Sequence, residues 1–397
     1  MCLDYDVVIV GGGLAGNCLA LALNGSGLRI AIIEAQSRVQ LAAAPSGDRA
    51  LALAAGTVAM LETLQVWQGI SHAATAIEHI HISDQGHFGK TRLSAAKEQV
   101  AALGYVISAR DLESHVADMV ADSAVEVLAP WRVADLKAGS EAIQIQLAQG
   151  EDSLNLSALL LVGADGGSST VRQLLGIHQQ VTDYGQTALV TTITTSLPNR
   201  HTAYERFTAS GPLALLPIAK NQSALVWTRR HADAKILMDS SDSQFLTELQ
   251  HCFGYKLGEL SISAPRRAFP LSLIRAEKMH APRAVIIGNA VHQLHPVAGQ
   301  GFNLGLRDVV QLAHSLIRQH AQYHDIGAED FLSRYAQSRK KDHDLTIGFT
   351  DAVVKIFSNQ WLALAAARNL GLTLLDHIPA AKTLLSRHAM GFAGQPD

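Results

Sequence analysis

The chain has 397 residues, of which 48% are hydrophobic and 17% are charged, and its formal net charge is −3. This length exceeds one typical hydrophobic core, so we expect two closely joined lobes. This slightly negative net charge is not that of a typical nucleic-acid-binding protein, which carries a basic surface patch. No nucleic-acid partner is therefore expected. Cys2, Cys18 and Cys252 show no metal-ligand spacing and cannot all pair, which suits a reducing cytoplasm.

The first predicted elements are a β-strand, a glycine turn and a helix. Tyr5–Val10 is a short apolar run, and Gly11, Gly13 and Gly16 follow it in G-x-G-x-x-G spacing. A second predicted strand, Arg29–Glu34, ends in a carboxylate where a ribose hydroxyl pair needs an acceptor. The glycines alone are a weak signal, but the four features together indicate a dinucleotide site. The glutamate would repel a 2′-phosphate, so the bound adenosine belongs to FAD or NAD and not to NADP.

A second motif lies in the middle of the chain. Leu159–Val162 is predicted to be a buried strand, and the Gly-Ala-Asp-Gly turn that contains Asp165 follows it. Ser168 or Ser169 can cap the next helix, which carries Arg172 in its first turn. A capped turn between a strand and a helix explains this stretch locally, so its link to a cofactor depends on the other motifs.

Residues 176–275 change to alternating Thr, Val and Leu patterns, which predict a β-sheet. We expect this sheet to form an apolar wall over one face of the cofactor. The strands predicted in it are Ala188–Thr195, Leu213–Pro217, Ala224–Arg229 and Arg266–Leu271.

The third motif, Gly288–Asp308, follows a strand predicted over Ala284–Ile287 and precedes a helix-like pattern. Its glycines let main-chain N–H groups approach a flat ligand closely, and a helix start adds partial positive charge. Both features suit the negative charge that develops on a reduced flavin. His292 and His295 lie within this motif without an evident carboxylate or thiolate partner, so no metal site is expected.

The last segment, from about Glu329 to the end, is predicted to be helical. Trp361–Leu385 has apolar residues at helical spacing, interrupted by Gly371 and Pro379. This stretch suits a helix that packs on the sheet lobe, and the alternative is a contact with a membrane surface or a partner protein. No uninterrupted apolar run reaches the length of about 18 residues that a membrane-spanning helix requires.

The order of the three motifs resembles that of the class A FAD-dependent aromatic hydroxylases, from Val7 to about Asp351. Within that family the chain most resembles the ubiquinone-biosynthesis hydroxylases, as indicated by Arg49–Thr57, Ala203–Pro217 and the Gly288–Asp308 loop. One position departs from the general pattern, because Asn289 stands where the family has Asp. An Asn at this position resembles the pattern of one branch of the family. The role of the family's Asp therefore cannot simply be assigned to Asn289.

The resemblance implies an α/β fold with a Rossmann-like FAD-binding lobe, an interleaved β-sheet substrate lobe and C-terminal helices. By this resemblance, residues 1–175 and 276–328 form the FAD-binding lobe and residues 176–275 form the substrate lobe. Residues 329–397 form the C-terminal helical region. The resemblance also implies a monooxygenase in which NAD(P)H reduces tightly bound FAD. O2 then adds to the flavin C4a carbon, and the resulting hydroperoxide hydroxylates 2-polyprenyl-6-methoxyphenol para to its hydroxyl group.

The residues expected to bind FAD are those of the motifs and two arginines before predicted helices. Arg49 is expected near the pyrophosphate and Arg110 near the ribityl chain, although a solvated surface position explains each arginine equally well. The complete set is Gly11, Gly13, Gly16, Glu34, Arg49, Arg110, Asp165, Asn289, Gly299, Gly301 and Asn303. The flavin itself is expected to perform the chemistry, and His295, Pro296 and Tyr184 are the candidates for a catalytic side chain.

Several alternatives remain at this stage. The enzyme can act at another ring position or on another phenol, or the chain can be a non-catalytic flavoprotein subunit of a quinone-synthesis assembly. An FAD-linked dehydrogenase or halogenase shares the first motif. The expected location is cytoplasmic, with peripheral contact to the inner face of the membrane or to a ubiquinone-biosynthesis assembly left open.

Overall fold

The computed structural model describes residues 3–357, Ser386, Met390 and Gly391. The strands before residue 176 are β1 (Tyr5–Val10), β2 (Ile30–Ile33), β3 (Ala50–Ala54), β4 (Thr75–Ile77), β5 (His79–Asp84), β6 (Lys90–Ser94), β7 (Gly104–Ser108), β8 (Glu126–Leu128), β9 (Arg132–Ala138), β10 (Ile143–Gln149) and β11 (Asp152–Gly163). The later strands are β12 (Gln179–Thr195), β13 (Thr202–Thr208), β14 (Gly211–Ala219), β15 (Gln222–Arg230), β16 (Leu260–Ile262), β17 (Arg267–Ala276), β18 (His280–Ala281), β19 (Ala284–Ile286) and β20 (His292–Gln293).

The α-helices are α1 (Leu14–Leu23), α2 (Arg38–Ala43), α3 (Ala55–Thr63), α4 (Trp67–Ile70), α5 (Ala95–Glu98), α6 (Ala109–Ala121), α7 (Thr170–Leu174), α8 (His231–Asp239), α9 (Asp242–Phe253), α10 (Gln300–Ala321) and α11 (Glu329–Phe357). Short 3-10 turns occur at Pro45–Asp48, Ser71–Ala73, Gly288–Ala290 and Val297–Gly299. Within the described part of the chain, no helix is both long and apolar enough to cross a membrane.

The first lobe is built on an eight-stranded sheet in which β19, β11, β1, β2 and β8 lie side by side. These five strands are parallel to one another. A parallel strand is covered by helices on both faces, so it is apolar along its length, as Val7, Val8 and Ile9 are here. Because the strands run the same way, the turns that follow β1, β11 and β19 meet at one edge of the sheet.

The second lobe is a nine-stranded sheet with the order β20-β17-β12-β15-β14-β13-β5-β6, and β16 pairs with the end of β12. Its outer face is covered by α8 and α9, where Trp227 packs edge-on against Phe245 with ring centroids 5.5 Å apart. Its inner face contacts the first lobe through two small apolar clusters. A third sheet, β3-β7-β4, lies in the first lobe.

The predicted α/β class, the strands before each motif and the helix after Gly299 are confirmed. Two features differ from the predictions. β5 and β6 come from within residues 1–175 but extend the substrate sheet, so the chain enters the second lobe earlier than the composition shift near residue 176 indicates. Arg49 precedes strand β3 and only then α3, because Ala50–Ala54 pairs with β7. Trp361–Leu385 lies outside the described residues.

Candidate active site

The first glycine turn joins β1 to α1 and leaves the start of that helix open. Gly11 has a φ of +109°, and a Cβ there would lie 2.6 Å from the Ala164 carbonyl oxygen. A Cβ on Gly16 would lie 2.0 Å from the Gly11 oxygen, so this glycine lets α1 pack closely on the strand. A Cβ on Gly13 would meet no atom within 4 Å. The turn therefore has free space only on the side of Gly13.

The N-terminus of α1 has no acidic residue in its first turn, and Gly13 provides no side-chain cap. The first N–H groups of a helix lack intrahelical acceptors and carry partial positive charge. The uncapped start of α1 and the open space at Gly13 together form a small recess, which a Cβ at position 13 would fill. These residues fit the pyrophosphate of a dinucleotide such as FAD.

Glu34 lies directly after β2 at the same edge of the sheet. One carboxylate oxygen accepts a hydrogen bond from the Gly12 N–H at 2.7 Å, and the other accepts from the Gln36 N–H at 2.8 Å. These bonds fix the carboxylate beside the glycine turn. Each carboxylate oxygen has a second lone pair, so the group can also accept from a hydroxyl.

The Asp165 turn after β11 is held by the start of α7. The Asp165 carboxylate accepts from the Ser169 hydroxyl and from the Val171 N–H, the latter at 3.0 Å. Ser169 caps the helix by accepting from the Arg172 N–H at 2.9 Å. The predicted cap is thus confirmed for Ser169, and the carboxylate of Asp165 serves the helix start.

Arg172 joins the second motif to the third, a role that the sequence did not reveal. Its guanidinium is buried and donates to the Gly167 carbonyl at 2.8 Å and to the Ala290 carbonyl at 2.9 Å. A buried guanidinium is costly unless its donors are satisfied, and here two backbone carbonyls accept from it. The side chain therefore locks the turn after β11 to the turn after β19.

The third motif places Asn289 and the start of α10 at the same edge. Asn289 is exposed in the 3-10 turn that follows β19. A Cβ on the preceding residue, Gly288, would lie 3.3 Å from the Cβ of Ala15, so this turn reaches the first turn of α1. Helix α10 begins after Gly299 without a side-chain cap or an acidic first turn, and Gly301 has open space around it. A second uncapped helix start thus faces this region.

Asn303 is fully buried and holds the third motif against β3. Its side-chain oxygen accepts from the Ala54 N–H at 3.1 Å and from the Thr57 hydroxyl at 2.6 Å. Its amide donates to the carbonyl oxygens of Gly299, at 2.8 Å, and Ala52, at 3.3 Å. All of its hydrogen-bonding groups are used by protein partners, so Asn303 positions the loop. Thr57 is a partner that sequence analysis did not single out.

The two predicted arginines lie close to Asp48. Arg110 donates to the Asp48 carboxylate at 2.6 Å and to the Ala44 carbonyl at 3.1 Å. The hydrogen bond from Arg110 holds the pKa of Asp48 below its usual value. Arg49 is exposed, and its guanidinium carbon lies 5.8 Å from the centre of the Phe269 ring on the substrate sheet. The structure thus places both arginines where the lobes meet.

His295 is a neutral, buried imidazole in the third motif. Its Nδ1 accepts from the Val297 N–H at 3.2 Å, which puts the ring proton on Nε2, and this Nε2 has no partner among the described residues. Burial lowers the pKa of His295 to about 4. Its ring packs edge-on against Tyr184 with centroids 5.3 Å apart. Pro296 follows it and accepts from the Gly299 N–H at 3.0 Å.

His292 has a carboxylate partner, so the prediction that it lacks one is wrong. Asp308, sixteen positions later on α10, accepts from His292 Nε2 at 3.1 Å and from His343 Nε2 at 2.7 Å. Arg339 on α11 donates to the same carboxylate at 2.7 Å. The pairing was not evident because α10 and α11 bring these residues together only in the folded chain.

The His292, Asp308 and His343 ligand atoms lie within 4.8 Å of one another, as three metal ligands would. Arg339 argues against a metal, because a guanidinium already neutralises the carboxylate, and Arg339 also pairs with Asp342. Burial alone would raise the pKa of Asp308, but the hydrogen bonds from both histidines hold it well below its usual range. We interpret the group as a buried ion network that fastens α11 to the third motif.

Comparisons with known proteins agree with this geometry. The family model described as FAD binding domain matches residues 4–347. The chain belongs to this family, the class A flavin monooxygenases. Ubiquinone hydroxylase UbiL of Rhodospirillum rubrum is 35% identical, over 97% of this chain and 89% of the relative. The 3-demethoxyubiquinol 3-hydroxylase of Escherichia coli is 29% identical, over 97% of this chain and 98% of the relative.

The fold is also that of a solved flavoenzyme. The p-nitrophenol 4-monooxygenase PnpA of Pseudomonas putida superposes with a TM-score of 0.80 over 98% of this chain and 99% of that chain, at 17% identity. The predicted membership and fold are therefore confirmed, and the protein is an FAD-dependent monooxygenase. The alternative of a non-catalytic subunit is not supported by this family membership.

Proposed function

We propose that the protein is an FAD-dependent hydroxylase of ubiquinone biosynthesis. The proposed reaction places a hydroxyl group on 2-polyprenyl-6-methoxyphenol, para to the existing hydroxyl, with NAD(P)H as reductant and O2 as oxidant. Bound FAD supplies the oxygen-activating chemistry, while the protein supplies position, electrostatics and a dry site. The relationship to UbiL, which is named a ubiquinone hydroxylase, supports the substrate class.

The observation that carries this proposal is the largely apolar inner face of the substrate sheet, which contacts the third motif. Three residues directly opposed across β12, β15 and β14 on this face are Val190, Val226 and Ala214. Phe207, on the same face of β13, packs against Val297 of the third motif. A wall of this kind suits a prenylated aromatic ring, which is apolar except at its oxygen substituents.

The proposed FAD contacts follow from the edge of the first sheet. The pyrophosphate would be held at Gly11, Gly13 and Gly16 with the start of α1, and the adenosine ribose at Glu34. The isoalloxazine edge would lie at Asn289, Gly299 and Gly301. Arg49 and Arg110 are proposed as phosphate or ribityl contacts, while Asp165 and Asn303 are proposed to act by shaping the turns that meet FAD.

A second candidate is hydroxylation at another ring position in the same pathway. The Escherichia coli relative supports it, because its name places its hydroxylation at carbon 3 of a demethoxyubiquinol. One experiment separates the two candidates. The purified protein is given each phenol with NAD(P)H and O2, and product fragmentation by mass spectrometry locates the new oxygen. We expect a para product from the methoxyphenol; turnover of the demethoxyquinol alone would favour the second candidate.

Contacts with a membrane surface or a ubiquinone-biosynthesis assembly remain proposals. The segment proposed for them, Trp361–Leu385, lies outside the described residues. The substrate motivates them, since a polyprenyl phenol partitions into lipid and the enzyme must obtain it there.

Asn289 provides a test of the proposed cofactor edge. Asn289→Asp keeps a hydrogen-bond acceptor, so we expect FAD to remain bound. Because the substitution also adds negative charge and removes the amide donors, we expect the binding free energy of FAD to weaken by about 0.5–1.5 kcal/mol, the value of one hydrogen bond. Asn289→Leu should lose more, because polar groups of the cofactor are left without a partner. Titration of apo-protein with FAD measures both. The exposed Asn24→Leu at the far end of α1 is the matched control, and equal FAD affinity of Asn289→Leu and wild type would remove Asn289 from the site.

A further inference from the structure

Glu205 is a carboxylate on the inner face of the substrate sheet. It lies in the middle of β13 and opposes Ala214 on β14 and Ile82 on β5. Through Ala214 the row continues to Val226 and Val190. Residues directly opposed across a sheet project from the same face. From β5 to β12 this row is apolar except for Glu205. It ends on β17 at Arg267, which opposes Val190 and pairs with Asp48.

The face that carries Glu205 is turned towards the FAD lobe. Side chains two positions apart on a strand share a face, so Ala203 and Phe207 lie on either side of Glu205. Phe207 packs with Val297 of the third motif, and Ala203 packs with Val106 of the small sheet in the first lobe. Glu205 thus lies between two contacts that join the substrate sheet to the cofactor lobe.

The Glu205 carboxyl is not engaged by the protein. Among the described residues, none donates a hydrogen bond to it or forms an ion pair with it, and burial alone acts on its ionisation. Burial raises the pKa of Glu205 to about 7. The residue as a whole is half-buried by surface area. An acidic group without a partner on an apolar wall is costly to the fold, which indicates a functional reason for it.

The charged neighbours of this row do not compensate Glu205. On the same face, Asp84 lies two positions beyond Ile82 on β5, and Tyr184 packs in the cluster of Phe207. Adjacent Arg206 projects to the opposite face by strand alternation. On that outer face, His81 packs beside Tyr204 and accepts from Lys256 at 2.8 Å. Arg267, on the same face opposite Val190, forms its ion pair with Asp48. No cation among the described residues forms an ion pair with the Glu205 carboxyl.

The two earlier candidates for a base are chemically unsuited. Burial and Asp351 raise the pKa of Tyr184 to about 12, so its hydroxyl stays protonated. His295 carries its ring proton on the free Nε2, because Nδ1 accepts from Val297, so that nitrogen donates and does not accept. A general base is most effective when its pKa lies near the working pH. Glu205 meets this condition among the three.

We propose that Glu205 is the catalytic base that takes the proton of the phenol substrate, an inference that rests on the proposed function. In this step the phenol O–H bond breaks and a new O–H bond forms on a Glu205 carboxylate oxygen. The electron pair stays on the phenol oxygen and increases electron density at the para carbon, where the new C–O bond forms. The proton transfer itself consumes no oxidant or reductant.

The test compares Glu205→Gln with wild type and with Glu248→Gln, an exposed carboxylate on α9 of the same lobe. The probe is 2-methoxy-6-prenylphenol, and product formation is followed from about pH 5.5 to about pH 10.5, a range that includes the ionisation of Glu205 and that of a phenol, near pH 10. We expect wild type and Glu248→Gln to gain rate as a group near pH 7 ionises. Glu205→Gln should bind FAD but lose rate on the order of 100-fold or more. Its remaining activity should rise only at the pH where the phenol itself ionises.

A second measurement separates a base from a structural residue. A carboxyl whose pKa is raised on folding binds protons better in the native state, so stability falls as pH rises from about 4.5 to about 7. Glu205→Gln should not show this pH-dependent loss of stability, because glutamine does not ionise. Its melting temperature should match that of wild type near pH 5 and exceed it at pH 8, whereas a lower melting temperature at both pH values would show a structural role and overturn the proposal.

The possible failures are distinguishable. If wild type hydroxylates no phenol, the proposed function fails, and the base role fails with it. If wild type is active and Glu205→Gln keeps both its rate and its pH profile, only the assignment of Glu205 fails.

Discussion

Gly13→Val should yield a folded protein that contains almost no FAD. The backbone at Gly13 is extended with φ −80° and ψ −173°, and a Cβ there would meet no atom within 4 Å. The fold therefore tolerates the side chain, but valine would fill the space proposed for the pyrophosphate. Loss of two charge-assisted hydrogen bonds, at about 1.5–3 kcal/mol each, weakens binding on the order of 100-fold to 10,000-fold.

The measurement is FAD content after purification, together with an FAD titration and the melting temperature of each apo-protein. Gly348→Val is the matched control, because Gly348 is an exposed glycine on α11 with open space around it. Gly16→Val is expected to differ from both, since its side chain would collide with the Gly11 carbonyl and destabilise the fold itself. Stoichiometric FAD in Gly13→Val would contradict the proposed pyrophosphate site.

Asp308→Asn should cost about 3–5 kcal/mol of unfolding free energy, the usual effect of removing one member of a buried ion pair. The carboxylate accepts from His292, His343 and Arg339, and it is fully buried. An amide presents one acceptor and two donors, so the donors that meet its nitrogen lose their acceptor. The charge of Arg339 is then balanced only by Asp342.

Urea unfolding at pH 7 measures this loss, and Asp330→Asn is the matched control on α11. Asp330 pairs with Arg334 at 2.5 Å, but both side chains are more than 60% exposed. Exposed pairs contribute less than about 1 kcal/mol. If the two substitutions have similar effects, the network around Asp308 does not fasten α11 to the third motif.

The cofactor lobe could be predicted from the sequence because its signals are local. Gly11, Gly13 and Gly16 lie within one turn, and each motif is preceded by a strand that is apolar enough to be recognised alone. Parallel strands then bring the three turns to one edge, as the order of motifs indicates. The cap at Ser169 was also predictable, since a capping serine acts on residues three positions away.

The remaining features depend on pairings that no local pattern specifies. β5 and β6 join the substrate sheet across more than a hundred residues, through the pairing of β5 with β13. Asp308 meets His343 only because α10 and α11 pack together. The position of Glu205 could not be predicted because β13 has small, polar and aromatic residues on both of its faces. Only the cross-strand partners show which of its residues lie on the inner face of the sheet.

The central proposal, a phenol hydroxylase that uses FAD, is tested most directly by labelled oxygen. The FAD-loaded protein is incubated with NAD(P)H, 2-methoxy-6-prenylphenol and ¹⁸O₂, and the product is weighed and fragmented by mass spectrometry. We predict one ¹⁸O atom in the ring, para to the original hydroxyl, and none from labelled water. Oxidation of NAD(P)H without oxygen entering this phenol or any related prenylated phenol would contradict the proposed function.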